Sequence, residues 1–154
     1  MGTISVNKLG AFALMFGPVF TLIFFFLQPG GAIIDAADPA DAPATITAML
    51  SNSGLAKVTS VLIPIGLLIF LYGISVVVGN VRSNGNGGAL AGFGMQFILF
   101  GVIGWITVSG ASLAIAGTSL PTENAIPIYG SLYGATVGIG TVSGILAGIG
   151  FLAL

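Results

Sequence analysis

The chain has 154 residues, of which 56% are hydrophobic and only 5% are charged, and its formal net charge is −1. Because soluble domains carry about 25% charged residues, this composition excludes a soluble fold, whose surface it could not cover, and also an intrinsically disordered chain. The chain also contains uncharged stretches longer than the roughly 20 apolar residues that a spanning helix needs. The sequence therefore predicts an all-α integral membrane protein with a single transmembrane domain, residues 1–154.

Charged residues divide the chain into four long uncharged stretches. They are Lys8, Asp35, Asp38, Asp41, Lys57, Arg82 and Glu123. A helix needs about 20 predominantly apolar residues to cross the hydrocarbon core, and each stretch exceeds that length. The predicted spans are residues 9–28, 58–80, 89–117 and 128–153, which together make a four-transmembrane-helix bundle.

The loop after the first span is long enough to contain a helix of its own. Asp41 is a residue type that caps helix N-termini, and Gly54 could end such a helix near Ser53. Its apolar face would consist of Ile46, Met49 and Leu50. The residues expected to point elsewhere are Thr45, Thr47, Ser51 and Asn52. We predict a short helix that lies on the ends of the spans or in the membrane interface, with an irregular loop as the alternative.

The first and third spans begin alike, which suggests two helical hairpins. The sequence L-G-A-F-A-L-M-F at residues 9–16 aligns with L-A-G-F-G-M-Q-F at residues 90–97. Each span leads through an acidic, proline-containing loop to a returning helix, so two hairpins in parallel orientation would result. The second and fourth spans share no such motif, which counts against a duplication.

The basic residues orient the predicted bundle. Lys8 and Arg82 fall at one end, whereas Lys57 falls at the other end with all the acidic residues. The end that is richer in Lys and Arg faces the cytoplasm. We therefore expect a multi-pass protein of the cytoplasmic (inner) membrane of the cell with both termini cytoplasmic, and a first span that is retained as a helix.

Glycine is unusually abundant, with 25 copies, more than twice the usual proportion of about 7%. Small residues let helix backbones approach closely in membranes. At about 100° per residue, one face of the fourth span collects Gly130, Gly134, Gly144 and Gly148. The third span adds Gly101 and Gly104. We predict that these residues form a helix-packing interface, either with another chain or inside this bundle.

The glycine pattern makes opposite predictions for two nearby positions. Gly144 belongs to the predicted interface, whereas Gly150 lies on the other side of the helix. Leucine at position 144 should therefore overpack an interface and lower assembly. Leucine at position 150 should face lipid and be tolerated.

Gln96 is the most polar side chain well inside a predicted span. A hydrogen bond to a neighbouring helix would stabilise it by about 1 kcal/mol. We therefore predict that Gln96 makes a buried polar contact, with a ligand contact as the alternative.

The residue types that the chain lacks restrict its chemistry. It contains no His and no Cys, the usual ligands of zinc, haem iron and iron–sulfur clusters. Its ionisable residues lie outside the predicted spans, whereas membrane enzymes place such residues in the bundle interior. Three basic residues are too few for a nucleic-acid surface. We expect no catalytic residue, metal site, cofactor or nucleic-acid partner, and a solvated acidic loop rather than a Ca²⁺ site.

Two functions are compatible with these features. The first is a non-catalytic accessory or structural subunit of a larger multi-subunit membrane complex, with other membrane protein subunits and lipid as partners. The alternative is a small homo-oligomeric channel or facilitator, which would need a polar or charged pore lining. The scarcity of polar side chains in the spans favours the accessory subunit.

Overall fold

The computed structural model describes residues 4–85 and 87–154. It contains five α-helices: α1 (Val6–Phe26), α2 (Ala42–Ser51), α3 (Ser53–Ser83), α4 (Gly88–Ala116) and α5 (Thr122–Leu152). The four longer helices, α1, α3, α4 and α5, are long and apolar enough to cross a membrane, and the described residues contain no strand. The predicted all-α fold with four spans is confirmed, and so is the short additional helix.

All four long helices begin earlier than predicted, α3 and α5 by the largest margins. Gly54 lies in the first turn of α3 and does not end α2, because the backbone breaks at Asn52 (φ −119°, ψ 43°) and the next helix starts immediately. α5 begins at Thr122, where Pro121 precedes the helix and Glu123 lies in its first turn. An acidic residue is favourable there because the N-terminus of a helix carries a partial positive charge.

The short helix α2 lies across the ends of α4 and α5. Asp41 caps it by accepting a hydrogen bond from the Ala44 amide at 3.0 Å. Ile46 and Met49 are fully buried in one cluster with Ile115 of α4, so the predicted apolar face is confirmed. Thr45 is the exception among the residues expected to point elsewhere: it is only 5% exposed, because Gly30 of the preceding loop packs against it.

The long helices pack as two antiparallel hairpins joined side by side. α1 packs on α3, α4 packs on α5, and α3 packs on α4. Residues 4–5 and 153–154 therefore lie at the same end, which we call the termini end; the opposite end, covered by α2, is the α2 end. No Cα atom of α1 comes within 8 Å of a Cα atom of α5, so the four-helix bundle has one open edge.

The two hairpins use glycine in the same way at their helix contacts. A Cβ atom built on Gly73 of α3 would lie 2.7 Å from the Leu14 amide nitrogen and 3.0 Å from the Gly10 carbonyl oxygen. A Cβ atom built on Gly150 of α5 would lie 2.9 Å from the Ile98 nitrogen and 2.6 Å from the Gly94 oxygen. The matching positions are Gly10 and Gly94, Leu14 and Ile98, Gly17 and Gly101, Phe70 and Ala147, and Gly73 and Gly150.

These contacts establish a structural correspondence between the hairpins, but in a different register from the predicted alignment. That alignment pairs Gly10 with Ala91, whereas the backbone contacts pair Gly10 with Gly94. The shift equals about one helical turn, so either register leaves apolar and small residues on the same face. Only the partner helix reveals which glycines are equivalent.

Candidate functional site

The open edge of the bundle holds a cleft in the half nearest the α2 end. It consists of two cavities of about 430 Å³ and about 340 Å³. Both are lined by Phe25 and Gln28 at the end of α1 and by Val108 and Ser112 of α4. We call these joined cavities the outer cleft.

The outer cleft exists because glycine replaces larger side chains at the open edge. Ile63 and Leu67 of α3 fill the contact with α4 and are each 7% exposed. By the hairpin correspondence, the same positions in α5 are Gly140 and Gly144. Cβ atoms built on these glycines would lie 4.0 Å from Val108 and from Trp105, respectively, so the space beside α4 is not filled from α5.

The cleft is closed at the α2 end, and a pair of aromatic rings lies beyond it towards the termini end. At the α2 end, Thr45 and Met49 of α2 line it together with Pro29 and Gly30 of the first loop. Gly30 has φ +78°, a left-handed conformation that favours glycine. Towards the termini end, Phe70 of α3 stacks on Phe151 of α5 with ring centroids 6.0 Å apart. The cleft therefore opens sideways, between α1 and α5.

Most polar side chains along the α5 wall are satisfied within the chain. The Thr136 hydroxyl donates to the Tyr133 carbonyl at 2.6 Å, and the Thr141 hydroxyl donates to Val137 at 2.9 Å. The Tyr133 hydroxyl donates to the Pro39 carbonyl at 3.1 Å and so ties the first loop to α5. These bonds hold the wall in place.

Thr45 is different from the other hydroxyl-bearing residues of the cleft. Its Oγ1 atom is buried and has no hydrogen-bond partner among the described residues, although the residue lines the larger cavity. A buried hydroxyl without a partner costs about 1–3 kcal/mol. Thr45 therefore carries an unpartnered hydroxyl that is buried in the wall at the α2 end of the cleft.

The predicted glycine face of α5 borders the cleft and points away from the rest of the chain. Around the positions where Gly130, Gly134 and Gly148 would carry a Cβ atom, no described atom outside their own helix backbone lies within 4 Å. Gly144 is exposed, with Trp105 at 4.0 Å as its nearest neighbour. None of these four glycines is therefore used for a close helix contact inside the described chain.

The predicted glycines of α4 do pack inside the bundle. A Cβ atom on Gly101 would lie 2.7 Å from the Ser143 carbonyl oxygen and 3.0 Å from the Ala147 side chain. Gly104 lies directly against the Ser143 side chain. For Gly101 and Gly104 the close neighbour is thus α5 of the same chain.

One prediction about an individual residue is wrong, and another stays a prediction. Gly150 does not face lipid: it is buried against Gly94 and Ile98, because α5 turns that side towards α4. Gln96 is exposed on this chain, because α3 and α5 both pack on the opposite side of α4, where Ile98 and Val102 are buried; its predicted buried contact therefore stays a prediction.

The acidic side chains of the first loop have separate local partners. Asp35 accepts a hydrogen bond from the Asn52 side chain, Asp38 accepts one from the Ala40 amide, and Asp41 caps α2. The described residues contain no group of three or more His, Cys, Asp or Glu residues placed to hold a metal ion. The carboxylates thus organise the loop individually.

The chain was compared with known protein families, with curated proteins and with solved structures. None of them matches it. The outer cleft and the glycine face of α5 are therefore the two features on which a function can be argued.

Proposed function

We propose that the protein is a non-catalytic accessory or structural subunit of a larger membrane protein complex. The glycine face of α5, formed by Gly130, Gly134, Gly144 and Gly148, would bind a transmembrane helix of another subunit. The observation that carries the proposal is the open space beside these glycines, whereas Gly94, Gly101 and Gly150 are in close contact with a neighbouring helix.

Glycine lowers the stability of a helix, and contact with a partner helix would offset this cost. An exposed glycine in a helix interior is less favourable than alanine by about 1 kcal/mol. At Gly94 and Gly150, close backbone approach offsets this cost. At Gly134 and Gly148 nothing in the described chain offsets it. A helix from another subunit would supply the missing contact through dispersion and weak Cα–H bonds.

We further propose that the protein lies in the cytoplasmic (inner) membrane of the cell with the termini end in the cytoplasm. Lys8 and Arg82 lie near this end, and Lys57 lies near the α2 end. The excess of basic residues supports the orientation. Cysteine at position 38 or 123 should react with an impermeant thiol reagent from outside, and cysteine at position 84 should not; labelling of positions 38 and 84 from the same side would contradict it.

Cross-linking tests the accessory role directly, because the chain has no native cysteine. A photoactivatable cross-linker attached to Gly134→Cys should capture a different polypeptide in native membranes. Ala135→Cys is the matched control: it is exposed at the same depth but is rotated by about 100°. Mass spectrometry of the cross-linked band identifies the captured chain.

The outcomes of this experiment separate the candidate functions. Capture of a foreign subunit from position 134, together with comigration in native gels, supports the accessory role. Capture of only a second copy of this chain would favour the homo-oligomeric channel or facilitator. Equal capture from positions 134 and 135 would show that the glycine face is not an interface.

A further inference from the structure

The outer cleft has the dimensions of a small-molecule site and not of a groove for a protein helix. Its cavities measure about 430 Å³ and about 340 Å³, and ligand pockets range from about 300 to 1,000 Å³. A spanning helix about 10 Å wide and 30 Å long would need several times that volume. We propose that the cleft binds one uncharged amphiphile, with a single apolar chain and a hydroxyl or carbonyl head group.

The lining determines the head group. The Thr45 hydroxyl is buried without a hydrogen-bond partner in the described chain in the wall of the larger cavity, and Gln28 lines both cavities. A hydroxyl and an amide together donate and accept hydrogen bonds, which suits an alcohol or a carbonyl group. The lining residues include no Asp, Glu, Lys or Arg, so a charged head group would be desolvated without a counter-ion.

The apolar residues that line the cleft determine the apolar chain of the ligand. Phe25, Leu67 and Trp105 form an apolar surface that continues from the head-group region towards the middle of the bundle. Ile63 of α3 belongs to the same apolar wall. On the α5 side, Gly140 lines the cleft without a side chain and leaves this volume empty. An apolar chain that enters between α1 and α5 would occupy it.

The proposal does not depend on the accessory role. On α5 the cleft is lined by residues such as Thr136 and Gly140, whereas the proposed subunit contact involves the outward side of this helix at Gly134 and Gly148, which line neither cavity. Either feature can fail without the other. The cleft also has a built-in reporter, since Trp105 lines it and is the only tryptophan of the chain.

Fluorescence quenching tests the site. The full chain is placed in lipid nanodiscs and titrated with a dibrominated long-chain alcohol, whose bromine atoms quench Trp105 on contact. We expect saturable quenching by the alcohol. The dibrominated fatty acid of equal chain length, studied at a pH at which it is ionised, should bind at least about ten-fold more weakly than the alcohol.

Two variants locate the binding. Gly140→Phe should abolish the saturable quenching, because position 140 lines the cleft and its neighbour Val108 is far enough away for a Cβ atom. Gly138→Phe is the matched control: it lies on a different side of α5, in open space, and should bind like the unmodified protein. Thr45→Val should weaken binding by about five- to ten-fold through loss of one hydrogen bond.

Each outcome decides the proposal. Quenching that never saturates, or that is equal in the two phenylalanine variants, overturns the site. Equal binding of the alcohol and the ionised acid overturns the uncharged head group. The site is supported if binding is lost in Gly140→Phe and retained in Gly138→Phe. The uncharged head group is supported if the alcohol binds more tightly than the ionised acid.

Discussion

The hairpins face each other at two equivalent places, between α3 and α4 and between α5 and α1, but different side chains line these two places. At the α3/α4 edge, the apolar side chains Ile63, Leu67 and Ile74 fill the contact. At the equivalent α5/α1 edge, the corresponding residues are Gly140, Gly144 and Phe151, and the helices do not come together. Close packing is favourable where atoms of the facing helix, from side chain or backbone, fill the space. The loss of two large side chains therefore turns a helix contact into a cleft.

Glycine has opposite consequences in these two regions. Where the facing helix is close, as at Gly73 and Gly150, the missing side chain permits a backbone contact. Where the facing helix is distant, as at Gly144, the missing side chain leaves a cavity or an open face. The same residue type thus builds each hairpin and also creates the surfaces through which we propose that the protein functions.

The largest effect is expected at the contacts within the hairpins. Gly150→Leu should lower the free energy of unfolding by about 3 kcal/mol or more, because its Cβ atom would meet the Gly94 oxygen at 2.6 Å. Gly73→Leu should do the same in the first hairpin. Thermal unfolding of the purified variants measures the effect. Gly148→Leu, in open space, is the control; similar melting of Gly150→Leu and Gly148→Leu would refute the shared hairpin design.

The next effect concerns assembly and not folding. Gly134→Leu should reduce incorporation into the proposed complex by about ten-fold or more, equivalent to the 1–3 kcal/mol of an overpacked contact. The isolated chain should not be destabilised, because position 134 has open space; its free energy of unfolding should rise by up to about 1 kcal/mol, since leucine favours a helix more than glycine does. Native gels and thermal unfolding give the two measurements. An unaffected native-gel band would argue against the glycine face as an interface.

Stability should increase when the residues of α3 that pack on α4 are introduced at the equivalent positions of α5, beside the open edge. In the isolated chain, Gly140→Ile combined with Gly144→Leu should raise the free energy of unfolding by about 1–2 kcal/mol. Helix propensity improves and apolar surface is covered beside Val108 and Trp105. Chemical unfolding in detergent measures the gain. A loss of stability would mean that the two edges are not equivalent.

The smallest effect is expected at the unpartnered hydroxyl. Thr45→Val keeps the shape of the side chain and removes the buried Oγ1 atom, so the free energy of unfolding should rise by up to about 1 kcal/mol. Thr59→Val is the comparison, since the Thr59 hydroxyl donates to the Leu55 carbonyl at 3.0 Å. Calorimetry of both variants in nanodiscs without added ligand should show stabilisation only for Thr45→Val.

Composition and charge spacing were sufficient to predict the class of the protein and the order of its elements. Uncharged stretches longer than a bilayer is thick can only be spans, so the four long helices were predictable. The cap at Asp41 and the apolar pattern of Ile46 and Met49 were sufficient for α2, because capping and helical periodicity are local properties.

The tertiary structure alone decided which faces meet. In a membrane, apolar side chains are about equally stable against lipid and against protein. The periodicity of apolar residues therefore does not distinguish the lipid-facing side of a helix from the side that packs on another helix. Gly150 was predicted incorrectly for this reason: it was expected to face lipid, but α4 packs against it. The outer cleft was likewise not predictable from the sequence. It depends on the space that Gly140 and Gly144 leave opposite Trp105, and the distance between α5 and α4 that sets this space is defined only once the helices pack.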